Sequence, residues 1–303
     1  VIEGLGLTER DRVVFVTPLS HSYGVDVLAG TLMAGACLRV CPQFDAELVA
    51  RELEEGATVL PGVPFVFEAL ARRARTRETS LRVAVSAGSP LPERVRRAFS
   101  EAWGLEVGQL YGSTELGAVT MDEPGATGFD AGSVGRPVRG VSVRVVDVDD
   151  PRRMLGAGEE GQLVVRAGSM LSGYLDGEVP LTDGHFLTGD LARIASDGRV
   201  TITGRLKMLI DVGAYKVNPL EVEGVLGLHP GVAECVVTGV AASETVQRLR
   251  AVVVARDAAS RPTSDELRRF VRERLSAIKV PRTVEFVSSL PKTATGKVMR
   301  DRV

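Results

Sequence analysis

From Arg12 to Trp103 short apolar runs alternate with stretches of helical period: RVVFVTPL, VLAGTLMAGACLRV, ELVARELEE, TVLPGVPFVFEALARRAR, LRVAVSAG and PERVRRAFSEAW. A chain that swaps a strand period for a helix period this often has few architectures open to it. Strands separated by helical segments pair in parallel, and the helices cover the sheet. Residues 1–122 are therefore read as an α/β layer. After Asp122 the helical period fades, and VSVRVVDV, GQLVVRA, LARIA and RVTITGR follow one another between Gly, Pro and Asp turns. Residues 123–206 thus predict an antiparallel, barrel-like β-rich subdomain. Beyond Arg205 come a helical NPLEVEGVLGLH, the strands VAECVVTGV and RLRAVVVAR, an amphipathic TSDELRRFVRERLSAI and a strand RTVEFV. Residues 207–303 predict a small α+β domain, with the tail SSLPKTATGKVMRDRV expected to be mobile, as chain ends often are.

Charge narrows the partners. The 37 basic and 39 acidic side chains nearly cancel, so no broad positive field would hold nucleic acid or an anionic membrane. The partner is expected to be a small molecule or a protein. Cys37, Cys41 and Cys235 are too few for a disulfide framework, and the lone C-x3-C has no second ligand pair to close a zinc site. The longest apolar run, Val27 to Leu38, is shorter than the ~20 residues that span a bilayer. A reducing, cytoplasmic setting is expected.

Three short stretches carry groups suited to a nucleotide. In GQLYGSTELG, Ser113, Thr114 and Glu115 are presented together; hydroxyls donate to phosphate oxygen and a carboxylate ligates magnesium. The same residues fit a loop whose Ser or Thr caps a helix, with Glu115 in its first turn. Asp190 follows a turn glycine, where a carboxylate accepts both hydroxyls of a ribose, or simply serves a turn. Lys297 follows Gly296, where an ammonium meets developing negative charge or is merely solvated. The Gly-Lys pair there is no Walker-type loop, because Pro291 stands where that pattern requires glycine.

Order and spacing join these pieces. PLSHSYG at 18–24, SAGSPLP at 86–92, YGSTE at 111–115, GYLDG at 173–177, TGD at 188–190, GRLKMLI at 204–210 and PKTATGK at 291–297 together resemble the adenylate-forming superfamily of acyl- and aryl-CoA synthetases, firefly luciferase and peptide-synthetase adenylation domains. The resemblance runs from about Leu7 to the last residue. It implies an adenylate-binding core over 1–206 and a mobile C-terminal domain over 207–303. It also implies that Gly88, Ser89, Pro90, Tyr111 and Gly112 surround adenine, that Thr114 touches the α-phosphate and that Glu115 ligates Mg2+. Asp190 matches the ribose aspartate, and Arg205 an arginine on ribose or phosphate. Lys207 matches the inter-domain hinge, Lys297 the lysine that stabilises adenylate formation, and Gly213 and Ala214 a thiol tunnel. His21 and Tyr23 lie in the acyl-pocket segment with Gly117, His21 serving either the reaction or packing. His185 and His229 are read as structural, and Asp26 as a turn or helix-end residue.

The implied activity is ATP- and Mg2+-dependent conversion of a carboxylic acid to its acyl-adenylate, followed by transfer to the pantetheine thiol of CoA, or alternatively of a carrier protein. The match breaks upstream of Leu7. The Ser/Thr/Gly-rich phosphate loop and most of the preceding sheet of relatives have no counterpart, so a partial fold with exposed apolar surface is expected. Three expectations follow: a fragment of a full enzyme, a short ligase that keeps the thioester-forming half or is completed by a separate chain, or a non-catalytic adenylate-binding subunit; the exposed surface also makes a homo-oligomer an expected state.

Overall fold

The computed structural model describes residues 2–303 except 42, 74–77, 123–128, 131, 213–214, 243–246 and 294–297, and the side chains of residues 2 and 3 are also left aside. Residue contacts divide the chain into two units, one of 1–188 with 192–202, the other of 189–191 with 203–303.

In the first unit a short helix α1 (Ile2–Leu5) leads into strand β1 (Arg12–Phe15). Then α2 (Ser22–Met33), β2 (Cys37–Val40), α3 (Ala46–Glu54), β3 (Val59–Gly62), α4 (Pro64–Ala71), β4 (Val83–Ser86), α5 (Glu93–Trp103) and β5 (Val107–Ser113) alternate as the sequence period predicts. β1 to β5 pair in parallel, and β6 (Gly117–Asp122) and β7 (Arg136–Pro137) extend the sheet antiparallel, in the order β2-β1-β3-β4-β5-β6-β7. Successive side chains of β1 serve opposite faces. Val14 joins the core under α3, α4 and α5, while Val13 and Phe15 join the core under α1 and α2. Both faces are covered, which is why these strands are continuously apolar rather than alternating.

Helix α5 shows how one stripe docks. Val95, Phe99 and Trp103, spaced by four, are all buried, Trp103 Nε1 donates to the Leu70 carbonyl at 3.0 Å, and Gly104 ends the helix at φ 71°.

A second sheet in this stretch holds β8 (Ser142–Val146), β9 (Gly161–Arg166), β10 (Leu181–Thr182), β11 (His185–Ile194) and β12 (Val200–Arg205), in the order β10-β11-β9-β8 with β12 beside β11. His185 is buried within it, its ring 3.0 Å from the Asp183 carbonyl and 3.4 Å from Ser142 Oγ, a packing role.

The second unit has a hairpin, β13 (Ile210–Val212) and β14 (Tyr215–Val217), then α6 (Pro219–Gly227), β15 (Val232–Ala241), β16 (Gln247–Ala255), α7 (Ser264–Arg272) and β17 (Thr283–Val287). β15 and β16 are antiparallel, and β17 lies parallel to β16. Asn218 caps α6 by accepting from Leu220 N, and Thr263 caps α7 by accepting from Glu266 N. The tail differs from expectation. Leu290 is buried, and Val298 and Val303 pack on the same apolar cluster as Val236 and Val252, so its described residues are docked. Among the described residues no helix is long and apolar enough to cross a membrane.

One buried carboxylate ties the start of the first unit together. Asp11 is 3% exposed and accepts from Thr8 N at 2.8 Å, Thr58 Oγ1 at 2.8 Å, Arg82 Nε at 2.8 Å and Arg82 Nη2 at 2.7 Å. Arg82 also donates to the Gly6 carbonyl at 2.8 Å. The Arg82 guanidinium holds the Asp11 carboxyl well below its ordinary value of 3.8. Stability from Asp11 is therefore complete above that ordinary value and is lost as pH falls toward the depressed one. Arg82 is partly solvated, so Asp11→Asn is expected to cost about 1–2 kcal/mol at pH 7. The gap between the two proteins' denaturant midpoints should narrow from pH 6 to pH 3, and a gap constant across that range would rule this account out.

Candidate functional site

Ligands of parallel α/β sheets sit beyond the carboxyl ends of the strands, because helices close both faces. The candidate residues of the first unit lie at three of these connections: residues 16–21 after β1, residues 87–92 after β4, and the turn from β5 to β6.

The turn is a tight hairpin. Leu116 N donates to the Ser113 carbonyl at 3.3 Å, and no helix follows, so the helix-capping alternative for Ser113 and Thr114 does not hold. The β5–β6 register shifts between Tyr111 and Gly112. At Gly112 a Cβ would lie 2.3 Å from the Gly117 carbonyl oxygen, so only glycine allows this approach, while Gly117 itself sits at φ 70°. Thr114 is exposed, Glu115 half-buried, and Ser113 Oγ is buried with no hydrogen-bond partner.

The turn is held from a distant stretch. Leu171 N donates to the Glu115 carbonyl at 2.8 Å, and Ser169 Oγ donates to the Leu116 carbonyl. Partial desolvation and the nearby Glu115 carboxylate raise the Tyr174 phenol. Tyr174 belongs to GYLDG, a motif whose position alone gave it no role. Ser22, opening α2, places its Oγ 3.5 Å from Thr114 Oγ1, so the start of α2 reaches this turn.

Next to Ser22 are the two acyl-pocket candidates. His21 is exposed at the N-cap of α2 and makes no side-chain capping bond. Tyr23 donates its hydroxyl to the Val85 carbonyl at 3.4 Å, and burial together with Asp26 pushes its phenol upward. Asp26 is raised by burial as well. Gly24 lets α2 pass the β1 end, since a Cβ there would be 2.3 Å from the Pro18 carbonyl oxygen.

Gly88, at φ 84°, and Pro90 are exposed, with Ser89 half-buried between them. Gln109 fixes this loop: its Oε1 accepts from Leu91 N at 3.2 Å and its Nε2 donates to the Ser133 carbonyl at 2.9 Å. Nothing local in the sequence marks Gln109, because both partners come from other stretches.

The second unit holds another pair. Asp190 is 3% exposed and lies inside strand β11, not in a turn, although Gly189 before it has φ 72°. Arg205 Nε donates to Asp190 Oδ1, and its Nη2 to Oδ2 at 3.4 Å. Two residues on, Lys207 is exposed in a single 3-10 turn, Leu206–Met208. Asn218 Nδ2 donates to the Thr203 carbonyl at 2.6 Å and so closes the chain around that turn. Gly204 makes room for it, since a Cβ would stand 2.4 Å from Asn218 Nδ2. The predicted tunnel residues Gly213 and Ala214 and the predicted lysine Lys297 lie outside the described residues.

No group of three or more His, Cys, Asp or Glu suited to a metal occurs among the described residues. Glu115 is thus a single carboxylate candidate, which suits magnesium, an ion that takes one or two protein carboxylates and completes its shell with water and phosphate.

A family model described as AMP-binding enzyme matches residues 1–175, and one for the AMP-binding enzyme C-terminal domain matches residues 221–297. The chain is 33% identical to a feruloyl-CoA synthase of Amycolatopsis over 98% of its length and 62% of that protein. It is 32% identical to a 2-succinylbenzoate–CoA ligase of Bacillus licheniformis over 99% of its length and 62% of that protein. The solved structure of ATP-bound MatB from Rhodopseudomonas palustris superposes with a TM-score of 0.91 at 31% identity, covering 99% of this chain and 61% of that one. The chain therefore spans about three fifths of the length of these relatives, with a partial version of their fold.

The hairpin geometry yields a direct check. Gly112→Ala is expected to cost about 1–3 kcal/mol by forcing the turn apart. Gly168→Ala, where a Cβ meets nothing within 4 Å, should stay within about 0.5 kcal/mol. Denaturant midpoints of the two variants measure the contrast, and equal shifts would show that the close approach does not constrain the turn.

Proposed function

The chain belongs to the AMP-binding enzyme family, and on that premise we propose that it carries an acyl group from a carboxylic acid, as acyl-adenylate, to the thiol of a pantetheine arm, with CoA the favoured acceptor. The observation that carries this reading is the β5–β6 turn, which offers the Thr114 hydroxyl beside Ser22 and the Glu115 carboxylate at the carboxyl end of a parallel sheet. Names of the relatives support the same class, since each is a ligase that joins an acid to CoA.

In this reading Gly88, Ser89, Pro90, Tyr111 and Gly112 border adenine, small residues giving a flat base room to approach. Thr114 and Ser22 donate to the α-phosphate, and the unpaired Ser113 Oγ is a further donor nearby. Asp190, aligned by Arg205, accepts from the ribose hydroxyls. Glu115 is the residue that would hold Mg2+, an ion that neutralises phosphate charge when bound. Tyr23, His21 and Gly117 face the acyl group. Lys207 is the pivot of the C-terminal domain, Lys297 serves adenylate formation, and Gly213 and Ala214 border the thiol.

The thioester step balances without a triphosphate. The thiolate sulfur attacks the carbonyl carbon of the mixed anhydride, a C–S bond forms, and the C–O bond to phosphate breaks with its electron pair leaving on AMP. That step makes no demand for donors to β- and γ-phosphates, whereas adenylation does.

A second reading rests on a separate observation. Strand β2 is the sheet's edge, and Leu32, Met33 and Val40 around it are 64%, 79% and 58% exposed. Such an apolar edge favours a further polypeptide, so the chain would act as the adenylate-binding part of a larger ligase.

Synthetic acyl-AMP mixed with CoA, or with a pantetheinylated carrier protein, tests the main reading. Thioester should appear by mass spectrometry, faster with CoA, and its absence with both acceptors would refute thioester formation by this chain. Asp190→Asn is expected to lower kcat/KM about 10- to 100-fold, the scale of one hydrogen bond to a charged group.

A further inference from the structure

The tip of the β5–β6 hairpin carries the groups assigned to the phosphate, yet its own strands hold it poorly. The ladder between them ends at Ser113 and Gly117, so residues 114–116 lie beyond the paired register. One bond closes the tip from within, Leu116 N to the Ser113 carbonyl at 3.3 Å, longer than is usual for such a bond. The register shifts between Tyr111 and Gly112 just before the tip, and Gly117 just after it takes φ 70°. Bulges and glycines both loosen a ladder.

Rigidity comes from outside the hairpin. After β9 the chain turns, Met170 N donating to the Ala167 carbonyl at 3.2 Å, and then passes along the tip. Leu171 N donates to the Glu115 carbonyl at 2.8 Å, and Ser169 Oγ donates to the Leu116 carbonyl. Two consecutive peptide groups are thus held from one stretch, which fixes the backbone that carries Glu115 and, one residue before it, Thr114. The Leu116 side chain supplies a third hold. It is 0% exposed and packs with Leu163, Val165 and Phe186, in a core that Met170 and Leu171 border. The tip is therefore keyed to the second sheet of this unit rather than to β5 and β6 alone. Ser169 itself is exposed, so burial does not dictate where its hydroxyl goes, and water would serve that hydroxyl equally well. Gly117 leaves it room, since a Cβ there would stand 3.3 Å from Ser169 Oγ.

We propose that Ser169 is a positioning residue: by donating to the Leu116 carbonyl it sets the tip so that the Thr114 hydroxyl and the Glu115 carboxylate are presented to the α-phosphate before the ligand arrives. The inference rests on the phosphate role given to Thr114 above. Donors fixed in advance bind a phosphate better than donors the ligand must first order. A serine that only fastened the fold would alter stability and leave affinity alone.

The experiment uses the full chain, hydrogen exchange read by mass spectrometry, denaturant midpoints, and calorimetry with AMP in magnesium-free buffer, where Thr114 acts without the metal. In Ser169→Ala, exchange over residues 113–117 and at Leu171 should quicken about 3- to 10-fold, the scale of one neutral hydrogen bond, and AMP affinity should fall by a similar factor. Because Ser169 lies on the surface, the denaturant midpoint should match that of the parent chain. Thr114→Ala should also weaken AMP binding, and the double variant should bind AMP no more weakly than Thr114→Ala. Ser169→Thr keeps the hydroxyl and should restore parent-like exchange and affinity. Unchanged affinity in Ser169→Ala, penalties that add, or a threonine variant as weak as the alanine one would overturn the proposal. Unchanged AMP affinity in Thr114→Ala would instead bring down the reading of the site, a distinct failure because exchange at the tip would still quicken in Ser169→Ala.

Discussion

A parallel sheet with helices on both faces leaves only its ends accessible, and this constraint determines where chemistry can sit in the first unit. β1, β3 and β4 are buried on either side by the cores under α3–α5 and under α1–α2. The polar candidates of the first unit accordingly lie at or beside the connections after β1, β4 and β5: Ser22 opens α2, Ser89 follows β4 and Thr114 follows β5. The reversal from parallel to antiparallel at β5 places a hairpin, not a helix, at the end of the fifth strand. A helix there would close over its strand. A two-stranded turn instead leaves Thr114 exposed and Glu115 half-buried.

Much of this architecture was legible in one dimension because it is periodic. The alternation from Arg12 to Trp103 predicts the βα layer, and the loss of helical period after Asp122 predicts the β-rich stretch. The α+β elements after Arg205 were equally readable, since α6, α7 and β15–β17 each follow a clear local pattern. What escaped was nonlocal. Asp190 follows a glycine and so resembles a turn residue, yet pairing within β11 keeps it in a strand. Gln109 is one polar residue in an apolar run, and only tertiary contacts to Leu91 and Ser133 give it work. Tyr174 and Ser22 act on a turn distant from them in sequence. The tail's small and polar composition suggested mobility, which its valines and Arg300 override by docking on the sheet.

Three carboxylates in the molecule share one solution to burial. Asp11, Asp190 and Glu223 have side chains 4%, 4% and 13% exposed, and each meets an arginine more exposed than itself, at 41%, 53% and 28%. A fully buried pair would suffer desolvation of both ions. Here the guanidinium stays partly hydrated while its fork satisfies the carboxylate, so the penalty falls mainly on one partner. Arginine suits this arrangement because its charge is spread over several donors and its stem packs against apolar neighbours.

The hydrogen bond from Asn218 to Thr203 has a mechanical meaning. Lys207 lies inside the segment whose ends that bond joins, so a large twist of the backbone at Lys207 shears the bond or drags both ends along. A neutral amide–carbonyl bond is worth about 1 kcal/mol net, far less than repacking a core. The bond is thus a weak local tie that frames the exposed 3-10 turn of Lys207 without fixing it as a packed core would.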